Sequence, residues 1–289
     1  MRRFHLEATA LASLTLALVA MGCGGSAAAP DAAAQDDAGQ DGGGPDGGPV
    51  EPDGGPVEPD GGPAPSVAIT IAFEHMVGGA PLALGVDALP YTNEAGNTFG
   101  VSRLSYFICD VSLTLADGTV VSAPGAHYVD HETLETLTYA LPVAVPEGQL
   151  QQLSFVMGLT PALNQTGAFG SPPESLMEWP EMLGGGYHFM KLEGRYLNSA
   201  SEPFAFMAHS GGLDGADYAI PVTLDAGGRA LSGAQTLTVR MSIEEWFAHP
   251  DTWDLNDYFN EAHRGIMRDA AAQASLQRNG ATVFSLGAP

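Results

Sequence analysis

The chain has 289 residues, with 34 Asp and Glu against 10 Lys and Arg, a formal net charge of −24. So few cations, none of them grouped into a stripe, make nucleic acid and anionic membrane surfaces poor partners and cationic partners better ones. Of the two cysteines, Cys23 ends an N-terminal apolar run and Cys109 lies far beyond it, so no internal disulfide staples the body of the chain.

Arg2 and Arg3 precede an apolar run over 8–21 that stops at Gly22-Cys23. A basic start and an apolar segment too short to span a bilayer read as an export signal over 1–22. The ending Val19-Ala20-Met21-Gly22-Cys23 resembles a bacterial lipobox, which makes Cys23 the expected lipidation site and first mature residue. Gly24 stands where an aspartate would retain a lipoprotein at the inner membrane. The expectation is a lipid anchor in the bacterial cell envelope, at the outer membrane, on its periplasmic or surface face.

The segment 23–66 follows with Gly, Pro, Ala and Asp, and GGPVEPD occurs twice in succession at 47–53 and 54–60. It holds too little apolar surface to offset its chain entropy, so a disordered tether is expected. From 24 to 66 it carries nine carboxylates and no Lys or Arg. A flexible chain of that length spans on the order of 35 Å.

The body, 67–289, is long enough for one domain with a substantial core. Val67, Ile69, Ile71 and Phe73 alternate with small or polar residues, which predicts a half-buried first strand whose period carries His75 inward. Phe107, Cys109, Val111, Leu113 and Leu115 are expected on one face of a longer strand that turns at Asp117-Gly118 and returns over 119–122. Further strands are expected at 126–130, 151–157, 187–197, 204–209, 218–224 and 237–243. In 184–194, GGGYHFMKLEG, alternation puts His188, Met190 and Leu192 on one face and Lys191 and Glu193 on the other. Tyr258, Ala262, Ile266 and Ala270 recur every four residues, predicting a helix over 255–278 capped by Asn279-Gly280. The fold class is therefore mainly β: an antiparallel β-sandwich, Ig-like or jelly-roll-like, with a C-terminal helical segment.

No glycine-flanked serine elbow, HExxH helix, phosphate loop or CxxC pair occurs in the sequence, so an enzyme is not the expectation. The remaining chemistry lies in imidazoles. Strand alternation turns His75, His127, His188 and His209 toward apolar neighbours, while His131 at a strand end, His249 before Pro250 and His263 on the helix are expected in solvent. Each inward histidine is either a core residue bonded to a carbonyl or a metal ligand. Imidazoles with nearby methionines in an exported protein suit copper better than calcium or magnesium.

The run Phe99 to Val111, FGVSRLSYFICDV, together with His127-Tyr128-Val129-Asp130, Met177-Glu178-Trp179-Pro180, GGGYHFMKLEG and the terminal Asn279 with Val283-Phe284, resembles the MbnP-like family of bacterial periplasmic and surface copper-binding proteins. The resemblance covers about 67–286 and implies a β-rich domain that binds one copper ion through histidines. It further implies a tryptophan oxidised to kynurenine by a di-haem partner of the cytochrome c peroxidase type. On it, His127 is the matched histidine and His75 its best partner, with His188 and His209 in reserve. No Trp lies beside His75 or His127 in sequence; Trp179 is the nearest family-like tryptophan, either the oxidised residue or ordinary packing. The resulting expectation is a membrane-anchored copper-binding protein for sequestration or delivery outside the cytoplasm. The alternative is a metal-free surface binding or adhesion module on the same β fold.

Overall fold

A computed structural model describes residues 65–288. The export signal, the lipobox with Cys23 and the tether up to residue 64 lie outside the described residues.

Nine strands carry the architecture: β1 (Ile69–Val77), β2 (Thr98–Leu115), β3 (Val120–Asp130), β4 (Gly148–Met157), β5 (His188–Leu197), β6 (Pro203–Gly211), β7 (Ile220–Leu231), β8 (Gln235–Ser242) and β9 (Phe284–Leu286). β6, β5, β2, β4 and β7 lie side by side in a seven-stranded sheet, and β3 pairs with β2 along its free side. β9, β8 and β1 lie side by side in a five-stranded sheet, with β9 at its edge. The antiparallel sandwich read from the sequence is present with one exception: β8 runs parallel to β1, Gln235 opposite Ile69 through Ser242 opposite Met76.

Between the sheets Ile69, Ile71 and Phe73 of β1 meet Leu104, Tyr106 and Ile108 of β2 and Met190 and Leu192 of β5 in one apolar core. Phe206 packs against Phe99, Phe247 and Phe259 at ring-centroid distances of 6.4, 5.7 and 5.7 Å. Such fully buried rings are each worth roughly 1.5–3 kcal/mol. At the centre of that contact β5 crosses β2 so closely that a Cβ on Gly194 would collide with the Gly100 carbonyl oxygen and the Phe206 ring.

β2 corrects the expectation for its side chains. Asp110 takes a left-handed φ of 52°, and the register with β3 shifts between Cys109 and Val111. A bulge of this kind re-aims every residue beyond it. Phe107 and Cys109 therefore join Tyr187, Phe189 and Met177 on the outer face, whereas Val111, Leu113 and Leu115 belong to the inter-sheet core. Cys109 is buried, and burial raises its thiol pKa to about 11, the condition of an inert core thiol.

The single C-terminal helix is also corrected. α1 (Leu255–Tyr258) and α2 (Ala270–Gly280) are separate. Between them the Asn260 side chain accepts from the backbone N–H groups of Ala262 and His263, a local turn that competes with helix. α2 starts afresh at Asp269, whose carboxylate accepts from Ala271 and Ala272. Gly280 lies within α2; its lack of a side chain admits the Trp246 ring, which a Cβ would approach to 2.6 Å.

Candidate metal centre

The period of β1 brings His75 to the buried face, 4% exposed. Its Nδ1 lies 2.9 Å from Nδ1 of His131, and its Nε2 lies 3.0 Å from the Tyr106 hydroxyl. His131 reaches this point because the chain folds back directly after β3. The Asp130 carboxylate accepts from the Glu132 N–H and from the Tyr128 hydroxyl, the His131 N–H donates to Leu104 O, and Thr136 Oγ1 donates to Asp130 O. His131 is thus half-buried against His75 instead of standing in solvent as expected. Burial first, and His131 second, pull the His75 pKa down to about 3, and burial lowers that of His131. Both rings are held neutral, the state in which an imidazole nitrogen has a lone pair for a metal. Phe73, Met76, Pro81 and Leu137 line a cavity of about 300 Å³ beside the pair.

His127, the expected partner of His75, is placed elsewhere. It faces inward, but its ring is stacked between Phe73 and Tyr139 at 6.0 and 4.6 Å. Its Nε2 donates to the Thr136 carbonyl at 2.8 Å. The aromatic rings on either side and the carbonyl give His127 the surroundings of a satisfied core histidine. What the sequence reading missed was the turn: Asp130, a turn-former, directly precedes a second histidine four residues after the first.

The two reserves are brought together. His188 and His209 lie with ring centroids 5.0 Å apart and planes at 82°. The register of β5 with β6 shifts between His188 and Met190, so strict alternation fails there. His188 turns to the side of His209, which pairs across the strands with Lys191 and bonds Glu193 Oε1 at 2.9 Å. It does not share the inward face of Met190 and Leu192. The three glycines before it make this approach: Gly184, Gly185 and Gly186 have φ of 119°, 70° and 81°, values that favour glycine. Thr166 Oγ1 and Asn164 Oδ1 accept from the N–H groups of Gly186 and Tyr187, and Trp179 N donates to Gly186 O. Trp179 is thereby laid against His188, centroids 4.7 Å apart, and over Gly211, where a Cβ would meet its ring at 2.7 Å. It is the tryptophan nearest either histidine pair, packed on the outer one.

His249 and His263 are solvent-exposed, and His249 Nδ1 donates to Glu245 Oε2 at 2.9 Å. Among the described residues no group of three or more His, Cys, Asp or Glu could hold a metal ion. The site chemistry is that of paired imidazoles. Two neutral nitrogens without a carboxylate ligand do not meet the tetrahedral demand of zinc or the oxygen demand of calcium and magnesium, but suit a soft, low-coordinate ion.

The family model described as MbnP matches residues 66–267. The chain belongs to the MbnP family. All four paired histidines, His75, His131, His188 and His209, lie inside the matched span. Among solved structures, MbnP from Methylosinus trichosporium is similar at 14% sequence identity, with 78% of this chain and 99% of that chain covered and a TM-score of 0.49. No curated protein matches. Among the described residues no helix of this MbnP-family chain is long and apolar enough to cross a membrane.

Proposed function

We propose that this MbnP-family chain is an exported, lipid-anchored protein that binds copper and holds or passes it on outside the cytoplasm. The observation that carries the reading is the facing of His75 Nδ1 and His131 Nδ1 at 2.9 Å. A bond of that length is one shared proton, and a metal that replaces the proton finds two ligand nitrogens converging with little rearrangement of the backbone. Binding through His75 Nδ1 requires the tautomer with Nε2–H, for which the Tyr106 oxygen at 3.0 Å is the acceptor. The copper supplies a soft Lewis-acid centre; the chain's residues orient the rings, keep them unprotonated and hold them at the edge of the core. Low cation content and the tether fit a domain held off a surface to meet cationic cargo.

Titration of the full-length protein with copper(I) against a chromogenic competing chelator tests this. His75→Ala and His131→Ala are expected to weaken binding at this site by more than the roughly 10–100-fold that an outer-shell partner is worth, and His127→Ala to leave it unchanged. Copper affinity and stoichiometry unaltered in the His75→Ala/His131→Ala double variant would remove the assignment.

A further inference from the structure

We infer that the mouth of the His75–His131 cavity is the docking face for a basic protein that presents a methionine side chain to the pair and exchanges copper(I) with it. The inference rests on the copper reading of that pair.

The smaller sheet is open at this point. β8 lines one side of β1 from Ile69 to Met76. On the other side the partners are interrupted: residues 138–140 pair with Thr70 to Ala72 and residues 80–81 with Met76 and Val77, which leaves Phe73, Glu74 and His75 without a strand neighbour. The cavity of about 300 Å³ stands at this break. From Ile69 to His75 the strand β1 advances about 20 Å. The opening is therefore at the end of β1 away from Pro65, where the chain enters the domain beside Glu147.

The rim of the opening is apolar and its surroundings are acidic. Leu134 and Leu137 begin and end one 3-10 turn, Leu134–Leu137, and in that geometry side chains three residues apart stand one above the other. Leu137 lines the cavity with Phe73, Met76 and Pro81. Leu134 is 75% exposed, the most exposed large apolar side chain among the described residues. The loop that carries His131 adds Asp130, Glu132 and Glu135 and holds no Lys or Arg over 130–137. Glu74 is tied to Arg240, but no ion pair among the described residues takes up those three carboxylates. An apolar mouth ringed by uncompensated negative charge is complementary to an apolar side chain ringed by Lys and Arg.

The chemistry of the pair selects that side chain. Two imidazole nitrogens leave a soft, low-coordinate ion open to a further ligand. A thioether is soft and uncharged, and it passes the apolar rim without the desolvation that a thiolate would meet. Exchange is then ligand substitution with no electron transferred. The methionine sulfur bonds copper(I) as the bond to one imidazole nitrogen breaks, and the second nitrogen follows. A proton from solvent takes the place of the monovalent ion between His75 Nδ1 and His131 Nδ1, which restores their bond.

The probe is a labelled, lysine-rich synthetic peptide with one central methionine, beside its norleucine counterpart, in which a methylene replaces the sulfur. Full-length protein is first titrated with copper(I) against a chelator, so that failure of the copper reading shows before any peptide is added. Fluorescence anisotropy is then expected to show the methionine peptide binding the copper(I)-loaded protein at least about 10-fold more tightly than the metal-free protein, and about 10-fold more tightly than the norleucine peptide does. Leu134→Ser is expected to lower that affinity about 10-fold, the worth of one leucine side chain taken from water, with copper affinity unchanged. Glu132→Gln/Glu135→Gln is expected to weaken peptide binding at low salt and to make it less sensitive to added salt. Equal binding of the two peptides, equal binding with and without copper(I), or full affinity in Leu134→Ser overturns the assignment. So does concentration-dependent dimerisation of the loaded protein that Leu134→Ser abolishes, because a second copy of the chain is then the occupant.

Discussion

The inner pair, His75 with His131, and the outer pair, His188 with His209, place their rings at the same centroid separation, 5.0 Å, yet they are prepared differently. The inner rings bond each other, so each satisfies the other and a metal has to displace their shared proton. The outer rings are each bonded to an oxygen acceptor and not to one another, and His209 Nδ1 is buried without a partner. Proximity alone therefore does not define a ligand pair; the partner of the second nitrogen does.

Each pair can be perturbed without touching the other. The largest effect is expected from His131→Ala, which should weaken copper at the inner pair by well over about 100-fold, beyond what an outer-shell loss produces, while copper read in His188→Ala/His209→Ala protein stays at the wild-type inner affinity. Chelator competition on both proteins checks it.

Next comes Gly186→Ala. A Cβ there would collide with the Asn164 side chain, and φ is 81°, so a loss of about 2–3 kcal/mol is expected, combining strained backbone with overpacking. Chemical denaturation measures it. The inner pair should keep its copper affinity, since no residue of the three-glycine approach touches it.

Acid should weaken both pairs together. The folded pKa of His75 and of His188 is about 3, against an ordinary 6.5. The unfolded chain therefore takes up protons that the folded chain refuses. Stability contributed by the neutral rings is fully present above about pH 6.5 and is lost as pH falls toward about 3. Each histidine is expected to contribute a slope of up to about 1.4 kcal/mol per pH unit inside that window. Urea melts of metal-free protein between these pH values should show the fall, and His75→Gln should flatten it; an unchanged slope in that variant would refute the buried-neutral account.

The smallest effect belongs to Tyr106→Phe. Losing the hydroxyl at 3.0 Å from His75 Nε2 should cost about 1 kcal/mol of stability, and it should lower copper affinity at the inner pair with no change at the outer one.

Much of this was written in local pattern. Alternation over 67–75 sets the first strand and turns His75 inward, because side chains on a strand repeat every second residue. The three consecutive glycines announce a backbone that only glycine tolerates, and His188 is accordingly set beside His209. Family membership followed from the joint order of motifs over the body. The ligand pairing did not follow, and the reason is physical: a period of two predicts facing only while the register holds. The bulge at Asp110 sends Phe107 and Cys109 to one face and Val111 to the other. The register shift after His188 turns that ring away from Met190 and toward His209. The Asp130 turn carries His131 back onto His75, while aromatic stacking takes His127 out of reach.

Periodicity along the chain was enough to establish that the body is a β-sandwich and that His75 faces its core. Which imidazoles meet, and which oxygen or nitrogen each one bonds, came from the folded chain. Those depend on bulges, on a turn and on hydrogen-bond partners tens of residues away, where no local period reaches.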